Sequence, residues 1–204
     1  MASNELIQAA RKPRWQIAGV LAAIAVVAVA LAGGFRESRH TVPQHGVQQR
    51  VTAGALAVTV LGAWLDTRGP TGYPDSLTHR HYLVLDAVVE NLTDQSNNWY
   101  LRDDLRWLRD HDDQKGAPPD ATYLADDGTL LTSLQPHLPV HVLLTWKVPP
   151  EQSAAEPMRW GLYQRSYYPK AYISNESGWL QDGPGASFKL TVEDRRHASQ
   201  GAAP

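Results

Sequence analysis

The sequence predicts an all-β fold, an immunoglobulin-like β-sandwich, preceded by one N-terminal transmembrane helix. Three observations carry that expectation. An uncharged apolar run from Trp15 to Ala32 follows the basic residues Arg11, Lys12 and Arg14. From Val51 onward, apolar residues recur with period two in several short segments, as strands with one buried face require. Glycine and proline punctuate the gaps, and 204 residues leave room for one medium domain behind the apolar run.

Residues 1–14 read as a polar cytoplasmic N-terminus, with Pro13 suited to the first turn of a helix. As a helix, Trp15–Ala32 would rise about 27 Å, and continuation to Phe35 would give about 31 Å, close to a hydrocarbon core. Residues 15–35 are therefore read as a signal anchor whose partner is the membrane. Trp15 and Phe35 would lie at its interfaces, and the charge asymmetry would keep the N-terminus inside. The expected location is then the cell membrane, single-pass, with the C-terminal domain extracytoplasmic. The alternative is secretion after cleavage near Ala32. A basic n-region precedes the run, and Ala30-Leu31-Ala32 before Gly33 is a small-x-small site. Residues 36–50 lack an apolar period and read as a linker.

The sandwich is placed at 51–194. Leu56, Val58 and Val60 alternate with Ala57, Thr59 and Leu61, which reads as a strand. Residues 67–80 carry Gly69-Pro70 and Tyr73-Pro74 and read as a loop. In His81–Glu90 the residues Leu83, Leu85, Ala87 and Val89 form one apolar face, and Asn91–Asn98 is a polar turn. Residues 99–109 fit a helical face through Leu101, Leu105 and Leu108, and a strand through Leu105 and Trp107; the context favours a strand. Thr122–Leu124 and Leu130–Leu134 are expected to pair around Asp127-Gly128, a hairpin signal. Leu138–Val148 is the clearest strand, ended by Pro149-Pro150. Met158–Arg165 and Ser187–Glu193 complete the set, with 166–185 as an aromatic loop and 195–204 as a disordered tail. About seven short strands over this length point to two sheets.

Composition excludes several classes of function. The net charge is −2; one acid and three bases before residue 33 give +2, so the remainder holds −4. No basic face for nucleic acid is visible. The absence of cysteine removes disulfides, thiolate metal sites, cysteine nucleophiles and a lipoprotein anchor. Such a domain must be held by its core, and Trp64, Trp107, Trp146 and Trp160, all on strand patterns, are assigned to it.

Three stretches carry a resemblance. They are YLVLDAVVENLTD at Tyr82–Asp94, closing in Val-x-Asn-x-Thr; the acidic turn of Asp110, Asp112 and Asp113 before Gly116; and LQPHLPVHVLLTWKVPP at Leu134–Pro150. They resemble the bacterial extracytoplasmic immunoglobulin-like domains typified by mycobacterial immunoprotective antigens and Gram-positive lipoproteins. In those domains the third stretch has glycine where His137 stands and phenylalanine where Trp146 stands. The resemblance covers roughly residues 51–193. It implies a fold and a location, and it brings no catalytic residues with it.

Candidate chemistry is sparse. Asp110, Asp112, Asp113 and Asp120 are acidic, but counting from Asp110 an EF-hand would need Gly at Lys115 and Glu at Ala121. A solvated hairpin tip accounts for them. His79 with His81, or His137 with His141, could begin a metal site with Asp86, but no third ligand has the spacing; histidines on an outer sheet face account for both pairs. His141 has no nucleophile-elbow motif to serve. The expectation is therefore no catalysis, no cofactor and no metal. Tyr167, Tyr168, Tyr172 and Trp179 are the candidate interaction surface, because such rings combine large contact area with a polar handle. A loop folding back to cover an open end of the sandwich would use the same rings. The expected function is a membrane-anchored binding or accessory module, beside a transporter or other envelope protein. A cleaved, secreted binding protein is the alternative, and an enzyme or metal-binding protein with a loop-built site is the remaining one.

Overall fold

The computed structural model describes residues 12–31, 42–72, 79–97, 100–109, 116–170 and 177–197. The chain divides into two compact units, Met1–Thr41 and Val42–Pro204.

The first unit contains helix α1, Lys12–Leu31. Its existence matches the apolar run, but it corrects the expected transmembrane segment. No helix among the described residues is long and apolar enough to cross a membrane. The physical reason is the placement of the polar residues. Lys12, Arg14 and Gln16 fall within the helix. The uninterrupted apolar remainder, Ile17–Leu31, rises only about 22 Å, against a hydrocarbon core of about 30 Å. Residues 32–35 of the expected span lie outside the described residues. The signal anchor, the membrane as partner, the single-pass location and the membrane-anchored accessory function are all withdrawn with it.

The second unit is an all-β sandwich. Its elements are β1 (Gln44–His45), β2 (Arg50–Ala53), β3 (Leu56–Asp66), β4 (His81–Asn91), helix α2 (Tyr100–Asp104), β5 (Leu105–Leu108), β6 (Ala121–Leu124), β7 (Pro139–Val148), β8 (Met158–Tyr168), β9 (Gly178–Leu190) and β10 (Glu193–Asp194). One sheet has the order β1-β9-β8-β5. The other has β10-β3-β4-β7-β6, with β2 paired to β3.

Alternation places the core between the sheets. Leu83, Leu85, Ala87 and Val89 of β4 are buried, as are Val142, Leu144, Trp146 and Val148 of β7. From the facing sheet come Met158, Trp160 and Leu162 of β8, with Ala186, Phe188 and Leu190 of β9. Trp146 and Trp160 meet across the two sheets, ring centroids 6.4 Å apart and tilted by 59°. With no cysteine in the chain, this aromatic pair joins the layers by packing alone. The Trp146 indole N–H donates to the carbonyl of Ala117.

Several elements differ from the sequence reading. Strand β3 runs on to Asp66 because a register shift between Val60 and Gly62 inverts its facing. Val60 is buried, Leu61 is partly exposed, and Ala63 and Leu65 are buried again. A bulge of this kind hides a continuing strand from a period-two pattern. Residues 100–108 use both candidate periods. Leu101 and Leu105, four apart, are both buried, and Leu105 and Trp107 then alternate inward along β5. Trp64 is not core: it lies on the outer side of the larger sheet with the Arg195 guanidinium 4.2 Å over its ring. Leu138 is exposed before β7 begins.

The Val-x-Asn-x-Thr ending has a structural role. Asn91 is fully buried; its amide donates to the carbonyls of Gln95 and Leu134 and accepts from the amide and hydroxyl of Thr93. An Asn so engaged cannot serve as a glycosylation acceptor, although Asn91-Leu92-Thr93 has the required pattern. The glycine-to-histidine departure falls where glycine is favoured on backbone grounds, since His137 has φ of 55°.

Candidate functional site

Strands β8 and β9 pair from Met158↔Leu190 to Tyr168↔Gly178. Their neighbours stop early. Strand β5 reaches only Arg159–Leu162, and β1 only Ser187 and Phe188. Beyond them the pair continues as a two-stranded ribbon, with register shifts between Leu162 and Tyr163 and between Gln164 and Arg165. The expected aromatic loop at 166–185 is therefore largely strand.

Opposed residues of an antiparallel pair share a face. Tyr167 stands opposite Trp179, and Arg165 opposite Gln181. The Tyr167 and Trp179 rings lie 5.7 Å apart at 59°, and Tyr167 is 53% exposed. Trp179 is half-buried, and neither ring belongs to the core cluster between the sheets. On the other face, Tyr168 and Leu180 are exposed. The hydroxyls of Ser166 and Tyr168 donate to the two oxygens of Asp182. The Asp182 hydrogen bond, then its charge, raise the Tyr168 phenol above its usual pKa. Tyr172 lies outside the described residues.

A buried polar cluster holds the base of the ribbon. Asp104, at 0% exposure, ends α2, and Arg165, at 9%, lies on β8. Arg165 Nε donates to Asp104 Oδ2 at 2.6 Å, and Gln181 Nε2 donates to Asp104 Oδ1 at 2.8 Å. Arg165 also donates to the carbonyl of Trp179 and covers the Tyr100 ring at 4.3 Å. Burial raises the Asp104 pKa, while the hydrogen bond and charge of Arg165 oppose that shift. Gly54, in the β2–β3 turn with φ of 67°, presses on the same strand: a Cβ there would lie 1.7 Å from the Arg165 carbonyl oxygen.

This cluster was not legible in the sequence. Met158, Trp160 and Leu162 set an inward parity of even residues, and two register shifts turn Arg165 inward instead. The adjacent acids Asp103 and Asp104 were the only available signal.

The histidines separate. His141 Nε2 lies 2.6 Å from Asp86 Oδ1 on an exposed sheet face, whereas His137 pairs with Asp94 at 3.2 Å. His81 sits opposite Val148 and His141 opposite Val88, so they occupy different ends of the β4–β7 ladder. Among the described residues no group of three His, Asp or Glu side chains converges as a metal site. Asp120 accepts from the backbone amide of Lys147 at 2.6 Å, a structural role. Asp110, Asp112 and Asp113 lie outside the described residues.

A concavity of about 650 Å³ opens where β5 and β8 meet the 149–157 connection. Trp107, Arg109, Arg159 and Met158 line it.

No protein-family model and no curated protein matches the chain. Among solved structures it is similar to an uncharacterized β-sandwich protein from Clostridium difficile 630. The identity is 12%, with coverage of 76% of this chain and 98% of that one and a TM-score of 0.45.

Proposed function

We propose that the sandwich is a non-catalytic binding module that presents its β8–β9 ribbon to a macromolecular partner. One observation carries this reading. An exposed ring, Tyr167, stands against a half-buried one, Trp179, on a ribbon whose base is fixed by a buried ion pair. Rigid aromatic side chains lose little entropy on binding and supply most of the energy at recognition surfaces. Tyr168 and Leu180 extend the same feature on the opposite face.

The strand order supports the finer, immunoglobulin-like reading. Taken in chain order from β3 to β9, the strands fall as A-B-E-D in one sheet (β3-β4-β7-β6) and C-F-G in the other (β5-β8-β9), the constant-type arrangement. On that reading the ribbon is the outer part of the F–G hairpin.

Export is the second part of the proposal. A basic cluster, a 15-residue apolar stretch from Ile17 to Leu31, and Ala30-Leu31-Ala32 together fit a cleaved signal peptide. Intact mass of the chain recovered from the producing cell and its medium tests this. A start at Gly33 supports it, and a retained N-terminus sinks it.

The ribbon is tested by comparing the full chain with a Tyr167→Ala, Trp179→Ala variant of equal thermal stability in partner capture from envelope and medium fractions. Loss of a discrete, saturable partner in the variant is expected; identical recovery by both proteins refutes the ribbon as the binding surface.

A further inference from the structure

We infer that the cleft beside Trp107 is a second binding site, distinct from the ribbon, for a small ligand that carries an anionic group on a flat apolar body. The cleft of about 650 Å³ lies within the range of small-molecule sites. Its chemistry is divided. Trp107, Met158 and Pro157 give an apolar side, and Arg109 and Arg159 bring two guanidinium groups against one carboxylate, Glu156.

The two arginines are exposed. Neither Arg109 nor Arg159 makes a salt bridge among the described residues, where Arg50, Arg165, Arg195 and Arg196 all do. Arg109 instead lies 4.6 Å over the ring of Trp107, which is only 5% exposed, so the buried ring holds the exposed guanidinium at the cleft. Guanidinium groups offer planar, paired donors that match carboxylate and phosphate oxygens. Among the described residues the lining carries two arginines against one glutamate, on a chain of net charge −2.

The facing wall is held in place. Arg196 donates from Nη1 to the carbonyls of Pro150 and Gln152 while Asp194 pairs with its other nitrogens. The Ser153 hydroxyl accepts from the amide of Ala155, fixing the next turn. A pre-formed wall reduces the ordering cost of binding.

The test is calorimetric titration of the full chain with phenyl phosphate and with benzoate, using benzyl alcohol as the neutral control. At least one anion is expected to bind, with affinity falling as salt rises and falling about tenfold or more in the Arg109→Gln, Arg159→Gln double variant. The tighter of the two anions identifies phosphate or carboxylate as the favoured group. The Tyr167→Ala, Trp179→Ala ribbon variant should bind the anion as the parent does, which separates this site from the proposed partner surface. Absence of binding by both anions, equal binding of benzyl alcohol, or an undiminished affinity in the folded double-arginine variant overturns the proposal.

Discussion

Arg165 Nε meets Asp104 Oδ2 at 2.6 Å, joining the ribbon strand β8 to the end of α2 in a site from which water is largely excluded. In the proposed function, this pair keeps the ribbon ordered before it meets a partner. Asp104→Ala leaves Arg165 charged and buried, with only the half-exposed Asp103 carboxylate 3.8 Å away in place of its close partner, and should cost about 3–5 kcal/mol. Replacing both, as Arg165→Met with Asp104→Leu, should cost far less, because no orphaned charge remains. Urea unfolding of the Asp104→Ala variant and of the double variant measures both effects.

Gly54 supports the same strand from the β2–β3 turn. A methyl at that position meets the Arg165 backbone oxygen and also requires a left-handed φ. Gly54→Ala should therefore destabilise the domain by more than about 1 kcal/mol. A shift of the denaturation midpoint with an unchanged m-value would confirm that native packing is the cause.

The core and the ribbon should respond differently to aromatic truncation. Trp160 is fully buried against Trp146. Its replacement by Ala should cost about 3–5 kcal/mol through lost burial and a residual cavity. Tyr167→Ala removes an exposed ring from its contact with the half-buried Trp179 and should cost no more than about 1.5 kcal/mol. If thermal unfolding ranks the two variants the other way, the ribbon rings belong to the core and not to a surface.

Acid should weaken the domain through the C-terminal turn. The hydrogen bonds of Arg196 hold the Asp194 pKa at about 2, below the ordinary value of 3.8. A depressed folded-state pKa gives stability that is complete above the unfolded value and is lost as pH falls through the folded one. That contribution should fade between about pH 4 and pH 2. Asp104 acts with the opposite sign. Its pKa is raised by burial, so stability falls as pH rises from its unfolded value toward the folded one. An Asp194→Asn variant should show a shallower acid-side slope, as read from unfolding midpoints across the acid range, with Asp127 and Glu193, whose pKa values are also lowered, keeping the remainder.

The legible and illegible parts of the sequence divide by physical cause. Strands β4 and β7 were readable because their core residues alternate without interruption through Leu83–Val89 and Val142–Val148. The second half of β3 and the ribbon were not, because register shifts at Leu61 and around Tyr163 reverse the parity on which the reading depends. The helix at Tyr100–Asp104 was masked by a strand that follows it directly and shares Leu105 with the helical pattern. Of the site, the rings of Tyr167, Tyr168 and Trp179 could be read from composition. Their support by Asp104, Gln181 and Gly54 could not, since those contacts join residues far apart in the chain. The transmembrane expectation failed on length, because the apolar run was counted from Trp15 across Gln16 and the described helix leaves only Ile17–Leu31 uninterrupted.

Site-specific photocrosslinking tests the central claim most directly. A photoreactive phenylalanine analogue is placed at position 167 of the full chain, and at position 130 as a control, where Leu130 is exposed near β6 of the other sheet. Irradiation of producing cells should give a discrete adduct from position 167 that disappears in the Trp179→Ala background, and none from position 130. A stable, folded protein that yields no adduct at 167, or the same adducts from both positions, would contradict the ribbon as a recognition surface.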